Sequence, residues 1–146
     1  MRGHATRRAY FRLIRTVNKH PCRKTNRFMD IKSVQQQLRE FAEARDWEQF
    51  HSPKNLAVAL AVEAAELMEP FQWLTEDESR HLGEKPAEYA QVSEEIADVL
   101  IYLLRLADQL DIDLEQAVYA KMRKNGEKYP VTLARGNAVK YNRRQP

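Results

Sequence analysis

Two pairs of acidic side chains, each with a spacing of three residues, are the feature of the sequence best suited to chemistry. Glu63 and Glu66 form the first pair, and Glu95 and Asp98 form the second pair. On a helix, residues three apart are neighbours, with Cβ atoms about 5–6 Å apart. If two such helices face each other, four carboxylates converge, and the cluster must take up protons or bind a cation. An oxygen-only ligand set predicts Mg²⁺ before Mn²⁺ or Ca²⁺.

Two alternatives compete with this metal site. Glu pairs at this spacing are common on exposed helices, but the apolar runs 56–62 and 99–104 flank the two pairs, which favours a site at the edge of a core. A di-iron bundle would need Glu-x-x-His on two helices. The residue three after Glu63 is Glu66, and the residue three after Glu95 is Asp98, so the spacing disfavours a di-iron centre.

Basic and amide side chains recur on one face of the last predicted helix, at Lys121, Asn125 and Lys128. Lysine delivers positive charge to phosphate oxygens, and an asparagine amide donates hydrogen bonds. These residues are therefore candidates for phosphate contacts. The alternative is a solvated helix end whose lysines favour the C-terminal dipole.

Aromatic side chains lie in or near the segments that flank the acidic helices, at Trp47, Phe50, His51, Trp73 and Tyr102. Tryptophan beside a charged cluster suits stacking on a nucleobase, worth about 1–3 kcal/mol per base. Closure of a helical core by the same aromatics is the alternative, which the sequence alone favours. His51 is a weak candidate for a general base, because an isolated histidine is more often a hydrogen-bonding loop residue.

Four helices are predicted to position these residues. The first begins at Asp30 or Ser33 and ends near Arg45, and Ser52-Pro53 is a strong start signal for the second. Pro86 opens the third and longest helix, and an Asp113/Gln116 capping box opens the fourth. A short helical turn is predicted at 75–81. The fold class is therefore all-α, a four-helix bundle.

The third helix is apolar almost all round from Ile96 to Ala107. A small single-chain bundle cannot bury every face of such a helix, so we expect another subunit to bury the remaining apolar surface. The sequence thus predicts a homo-oligomer.

Charge is distributed unevenly along the chain, although the net charge is only +3. Nine of the 24 Lys and Arg residues lie in residues 1–28, which contain no Asp or Glu. Of the 21 acidic residues, 20 lie in 29–120, whereas 121–146 carries eight basic residues and one acid. An acidic centre beside a basic end suits a metal-chelated polyphosphate. A solvated acidic surface is the alternative, and charge statistics alone favour it.

The Arg-rich segment 1–28 is expected to be a disordered extension or a mis-assigned start, because Met29-Asp30 directly precedes the first periodic segment. A transit peptide or an arm for nucleic acid or a membrane surface is the alternative. The single cysteine, Cys22, excludes an intramolecular disulfide and fits a reducing compartment. No apolar run approaches the roughly 18 residues of a membrane span. We therefore expect a cytoplasmic protein with no membrane partner.

The segments Glu63-x-x-Glu66 and Glu95-x-x-Asp98 resemble the MazG-like superfamily of all-α nucleoside triphosphate pyrophosphohydrolases. The signature of that family is Glu-x-x-Glu on one helix and Glu-x-x-Asp on a later one. Further segments are similar to its dCTP pyrophosphatase branch, so that the resemblance covers about 30–142: Arg45-Asp-Trp47-Glu-Gln-Phe-His51, Phe71-Gln-Trp73, Lys121-Met-x-x-Asn125-x-x-Lys128-Tyr129-Pro130 and Leu133-Ala-Arg135-Gly.

This resemblance implies hydrolysis of a (deoxy)nucleoside triphosphate, dCTP or a 5-modified dCTP above all, to the monophosphate and pyrophosphate. It implies a homotetramer whose sites take residues from neighbouring chains. It also implies three groups of site residues: Mg²⁺ ligands Glu63, Glu66, Glu95 and Asp98, a base pocket of Trp47, His51, Trp73 and Tyr102, and phosphate contacts from Lys121 and Asn125. Animal members carry a histidine where this chain has Leu38, so one polar contact near the base is missing.

The mechanism we infer is metal-assisted displacement by water at the α-phosphorus. A carboxylate not fully engaged with the metal, Glu66 or Glu94, would accept the proton of the water. The role would be sanitation of the nucleotide pool. We predict a basic extension at 1–28, an all-α pyrophosphohydrolase domain at 29–130 and a basic, irregular tail at 131–146.

The competing interpretation is a non-enzymatic helical oligomer or a nucleic-acid-binding module that uses the basic leader. The acidic segment 29–120 argues against duplex binding through the core, because duplex binding depends on basic contacts to phosphates. We therefore expect nucleoside triphosphate rather than nucleic acid as the partner.

Overall fold

The regular elements of the chain are helical wherever the structure, a computed structural model, describes it, which is over residues 28–143. Within that range six α-helices follow in order: α1 (Ile31–Glu43), α2 (Pro53–Met68), α3 (Glu76–Arg80), α4 (Pro86–Gln109), α5 (Leu114–Lys128) and α6 (Val131–Ala134). Single 3₁₀ turns lie at Glu48–Phe50, Glu69–Phe71, Leu82–Glu84 and Tyr141–Arg143. The predicted all-α class is confirmed. The interpretation of segment 1–28 concerns residues that, apart from Phe28, lie outside the described range.

The starts of the long helices follow from their capping residues. An N-cap side chain accepts one of the backbone N–H groups that the first helical turn leaves without a partner. Three predicted caps do so, as Lys32 N–H donates to Asp30 (3.1 Å), Asn55 N–H to Ser52 (3.3 Å) and Gln116 N–H to Asp113 (3.0 Å). The short helix predicted at 75–81 is α3, which begins with a full Thr75/Glu78 capping box.

Left-handed residues stop α1 and α4. Asp46 has a φ of 53° and Asp111 a φ of 52°. After each of them the next backbone N–H reaches back into the helix: Trp47 N–H donates to Ala42 O and Ile112 N–H to Ala107 O, both at 2.9 Å. This arrangement is a common way of ending a helix. It redirects the chain after α1 into the segment 47–51.

Helix α4 is the centre of the fold, because both α1 and α2 pack against it. Leu56 of α2 is 1% exposed and Leu104 of α4 is 2% exposed. The side-chain amide of Gln35 on α1 donates to the Leu104 carbonyl at 3.3 Å. The remaining buried apolar residues complete a small core: Ala42, Leu82, Val92 and Ala107. The two acidic pairs therefore lie on the two helices with the most extensive mutual packing.

The apolar stretch from Ile96 to Ala107 differs from its prediction in one respect. Its most buried side chain is charged, since Arg105 is 1% exposed, whereas Ile96 remains 54% and Leu103 40% exposed. Carboxylate partners explain the burial of Arg105, because a buried charge must be paired. The helix thus buries a polar network inside the chain and leaves part of its apolar surface outside.

The tail predicted to be irregular, 131–146, contains one short helical turn within the described residues. The N–H groups of Leu133 and Ala134 donate to the Pro130 carbonyl at 3.0 and 2.9 Å, which forms the single turn α6. The ring of Tyr141 lies edge-on to that of Tyr129, with centroids 5.9 Å apart, so the tail contacts the end of α5. Among the described helices, none combines the length and apolar character needed to cross a bilayer.

Candidate active site

The acidic pairs of α2 and α4 converge as their spacing predicts. Glu63, Glu66 and Glu95 each offer a carboxylate oxygen, and these atoms all lie within 4.8 Å of one another. Glu63 is 4% exposed, and the other two are half-buried. Asp98 is half-buried one helical turn after Glu95. The structure therefore brings three predicted metal ligands together and places the fourth beside them.

The electrostatics of the cluster are those of crowded carboxylates. Burial, and next the negative charge of Glu63, raises the pKa of Asp98 to about 7. Burial, and next the charge of Glu66, also raises the pKa of Glu95. The charge of Glu94 contributes to both shifts, which puts this residue close to the cluster. At neutral pH the cluster therefore tends to keep a proton unless a cation replaces it.

One atom of the cluster lacks the partner that burial demands. Glu95 Oε2 is buried and accepts no hydrogen bond from any residue that the structure describes. An orphaned buried acceptor is costly unless an ion or water satisfies it. Carboxylates gathered at this distance are the donor set preferred by hard divalent cations. Glu63, Glu66 and Glu95, with Asp98 beside them, could therefore hold such an ion.

Two of the four predicted base-pocket residues, Trp47 and His51, are in ring contact, and the other two lie on other segments of the chain. The rings of Trp47 and His51 meet edge to face with centroids 6.4 Å apart, and the Phe41 ring also meets that of Trp47 edge to face, with centroids 6.0 Å apart. Tyr102 is half-buried on α4, one turn beyond Asp98. Trp73 is 85% exposed after the Glu69–Phe71 turn. A single chain thus builds the 47/51 half of an aromatic pocket and leaves Trp73 open to solvent.

Within residues 28–143, no hydrogen bond or ion pair joins the predicted phosphate contacts to the acidic cluster. Lys121 and Asn125 lie on the exposed surface of α5, one turn apart. Within the described residues, neither side chain makes a hydrogen bond or an ion pair. The structure therefore leaves both available to a ligand or to a neighbouring subunit.

Arg105 is a residue near the candidate pocket that sequence reasoning missed. Its Nη2 atom donates to Glu48 Oε1 at 2.9 Å and lies 3.5 Å from Nδ1 of His51. Its Nη1 atom donates to Asp108 Oδ2 at 3.0 Å. The signal was an arginine inside an otherwise apolar stretch, which indicates a buried charge with partners elsewhere. Spacing along the sequence could not show that Glu48, far away in the chain, is one of them.

Comparison with known proteins identifies the family. The MazG-like family model matches residues 58–143. Over 102 residues, 70% of this chain, the sequence is 52% identical to dCTP pyrophosphatase 1 of Mus musculus and 51% identical to that of Homo sapiens. The matched part spans 60% of the length of each of these relatives.

A solved structure extends the comparison to the fold. A pyrophosphatase from Archaeoglobus fulgidus shares 44% sequence identity with this chain, and its crystal structure superimposes on this one with a TM-score of 0.63. The match covers 74% of this chain and 99% of the archaeal one. The acidic, aromatic and basic motifs of the sequence predicted the same relationship, and the chain belongs to the MazG-like family.

Proposed function

We propose that this chain is a metal-dependent nucleoside triphosphate pyrophosphohydrolase that converts dCTP, or a 5-modified dCTP, into the monophosphate and pyrophosphate. The observation that carries this proposal is the convergence of Glu63, Glu66 and Glu95 within 4.8 Å. The names of the relatives support the reaction and the cytosine base, since they are dCTP pyrophosphatases and a pyrophosphatase.

The donor set of the cluster fits Mg²⁺, with Mn²⁺ as a substitute, because every ligand is a carboxylate oxygen and Glu95 Oε2 is buried without a partner. We propose that Glu63, Glu66, Glu95 and Asp98 hold the ion. When bound there, the ion would offset negative charge on the phosphate oxygens and orient a water molecule toward the α-phosphorus.

The carboxylates at the edge of the cluster are suited to proton transfer. Glu66 is half-buried and Glu94 is exposed, so a water molecule can reach either of them. The proposed general base is one of these two, whichever keeps an oxygen free of the metal, and that oxygen accepts the proton of the attacking water. Asp98, with a pKa raised by burial to about 7, would instead lose its proton if it ligated a cation.

The base pocket is proposed to contain Trp47, His51, Trp73 and Tyr102. The edge-to-face contact of Trp47 with His51 supports a preformed aromatic wall. Trp73 is 85% exposed, as expected of a side chain that gains its contact only when a base stacks on it. Stacking provides affinity for any base, so the choice among bases must come from hydrogen bonds to the base edge.

We further propose that the four long helices form a bundle within a homotetramer. A groove between α1, α4 and α5 supports assembly, because exposed apolar residues such as Leu103, Ile112 and Val118 lie along it among acidic ones. Burial of such apolar surface by another subunit is favourable. Lys121 and Asn125 would then contact phosphate, in their own site or in that of a neighbour. A cytoplasmic location stays a prediction from the single cysteine.

A product-resolved substrate screen tests the proposed function. Purified protein with Mg²⁺ would be incubated with each common ribo- and deoxynucleoside triphosphate, with EDTA as the control. We expect equal amounts of dCMP and pyrophosphate from dCTP, and no turnover in EDTA. Formation of dCDP and phosphate, or a strong preference for a purine triphosphate, would contradict the assigned reaction or base.

A further inference from the structure

Arg105 connects the central helix to the segment between α1 and α2. Its guanidinium is 1% exposed and is shared between Glu48 of the Glu48–Phe50 turn (2.9 Å) and Asp108 on its own helix (3.0 Å). Taking a guanidinium out of water is costly unless several hydrogen bonds replace the lost hydration. The buried charge of Arg105 therefore fixes the Glu48–Phe50 turn to α4, because burial of that charge is unfavourable without the Glu48 carboxylate.

A second donor holds the same carboxylate. Gln109, one turn after Arg105, donates its side-chain amide to the other Glu48 oxygen, Oε2, at 3.1 Å. Asp108 in turn is paired with Arg39 of α1. The network therefore spans α1, the turn and α4. Trp47 directly precedes the turn and His51 directly follows it, so the network fixes the positions of both rings.

The contact between Arg105 and His51 also determines which nitrogen of His51 carries a proton. Nη2 of Arg105 lies 3.5 Å from Nδ1 of a histidine that is 8% exposed. A guanidinium has only donors, so a hydrogen bond from Nη2 requires Nδ1 to be the unprotonated, accepting nitrogen of a neutral ring. Burial, and next the charge of Arg105, lowers the pKa of His51, while Glu48 raises it. With Nδ1 accepting, a neutral ring carries its single proton on Nε2.

We propose that Arg105 is a positioning residue of the base pocket: it fixes the 47–51 segment through Glu48 and holds His51 as the tautomer with its proton on Nε2. This inference rests on the proposed function, which places Trp47 and His51 at the nucleobase. An Nε2 donor can pair with N3 of cytosine, which is an acceptor. Thymine and uracil carry a proton at N3, so the same donor rejects them there.

The tautomer is measured directly, without substrate, by the nitrogen-15 chemical shifts of the imidazole ring in the full-length protein. The His51 signal is assigned by its loss in His51→Gln. We expect an unprotonated Nδ1 at neutral pH, a preserved tautomer in Arg105→Lys, and a mixed tautomer that protonates more readily in Arg105→Met. Glu48 and Arg105 are the charged groups acting on His51, so removal of Arg105 leaves Glu48 to favour the imidazolium. A protonated Nδ1 in the unsubstituted protein, or an unchanged ring in Arg105→Met, would overturn the proposal.

The anchoring role is tested by Glu48→Gln, which keeps the side-chain length and leaves Arg105 in place. Glu48 is 45% exposed, and Asp108 still pairs with the buried Arg105, so the change leaves the Arg105 charge with a carboxylate partner. We expect KM for dCTP to rise by about tenfold with kcat within about twofold, because a charge-assisted hydrogen bond is lost far from the phosphates. In the same variant, kcat/KM for dCTP divided by kcat/KM for dTTP should also fall.

The matched control is Glu76→Gln, which breaks the exposed Arg80–Glu76 pair on α3 and should change none of these values. Unaltered KM and base preference in Glu48→Gln would overturn the role of Arg105 while leaving the hydrolase assignment standing. If the unsubstituted protein cleaved no nucleotide, the proposed function and the base-pocket role would both be wrong, and the nitrogen-15 shifts would report the Arg105–His51 contact alone.

Discussion

Burial of Asp98 on α4, and next the negative charge of Glu63 across on α2, raises the pKa of the Asp98 carboxyl to about 7. Two side chains far apart in the sequence thus share one electrostatic environment. In the metal-free protein, the charge of Glu63 makes ionisation of Asp98 less favourable. In the metal-free protein the cluster consequently lowers the free energy of unfolding relative to a protein with a neutral side chain at one of these positions.

Asp98→Asn should stabilise the metal-free protein at neutral and alkaline pH. The pKa of Asp98 is raised in the folded state from 3.8 to about 7, so its contribution to stability is fully present below its unfolded pKa. That contribution is lost as the pH rises through about 7. Urea unfolding at several pH values, with EDTA present, should show a gap between the variant and the unsubstituted protein that widens between acid and alkaline pH.

The decisive result is whether the stability difference between Asp98→Asn and the unsubstituted protein grows or shrinks as the pH rises. Glu88→Gln, at an exposed position of the same helix, serves as the control and should give a gap that does not depend on pH. An Asp98→Asn protein that loses stability relative to the unsubstituted one as the pH rises would contradict the electrostatic description of the cluster.

Trp73→Ala should weaken binding of all pyrimidine nucleotides alike. The side chain is 85% exposed, so its removal should leave the fold unchanged. Loss of a stacking contact of this kind should raise KM by about tenfold for dCTP, dTTP and dUTP with kcat unchanged, which is the pattern of lost uniform binding. Steady-state kinetics on the three substrates provide the check, and an effect confined to one base would argue against stacking.

The exposed apolar surface of α4 should be a subunit interface. Ile96 is 54% and Leu103 40% exposed, and a charge placed there would have to be buried on assembly. We expect Leu103→Glu to dissociate the oligomer, as measured by light scattering. Val131→Glu, at a 76% exposed apolar position of α6, should leave it intact. A monomeric unsubstituted protein at micromolar concentration would refute the predicted assembly.

A protein that begins at Met29 should keep its catalysis. Residues 1–28 carry no acidic residue and no spacing that matches the site. Pyrophosphate release by the shortened protein should stay within about threefold of that of the full chain. Loss of activity with the helical content and the oligomer preserved would instead make the leader a part of the enzyme.

The sequence was sufficient wherever the determining interactions are local. The caps at Asp30, Ser52 and Asp113 lie next to the helices that they start, and the spacing of the acidic pairs is a property of single helices. The spacing predicted that four carboxylates would converge if the two helices faced each other, and the structure shows that α2 and α4 do pack together. These signals gave the helical class and the convergence of Glu63, Glu66 and Glu95.

Long-range pairing was not accessible from the sequence. The partner of Arg105 is Glu48, and nothing local to either residue specifies the other. The stretch around Arg105 was therefore treated as apolar, although its most buried member is a cation. The position of Trp73 was likewise undetermined, because its exposure depends on where the chain turns after α2 and on which subunit or ligand covers it.

The central claim is that the acidic cluster performs metal-dependent hydrolysis, and Glu63→Gln tests it most directly. Pyrophosphate release from dCTP with Mg²⁺ should fall by more than about 100-fold, since even outer partners of a metal ligand contribute about 10- to 100-fold. Glu88→Gln should remain fully active, and circular dichroism should show both variants to be helical. Turnover by a folded Glu63→Gln protein at the rate of the unsubstituted protein would contradict the account.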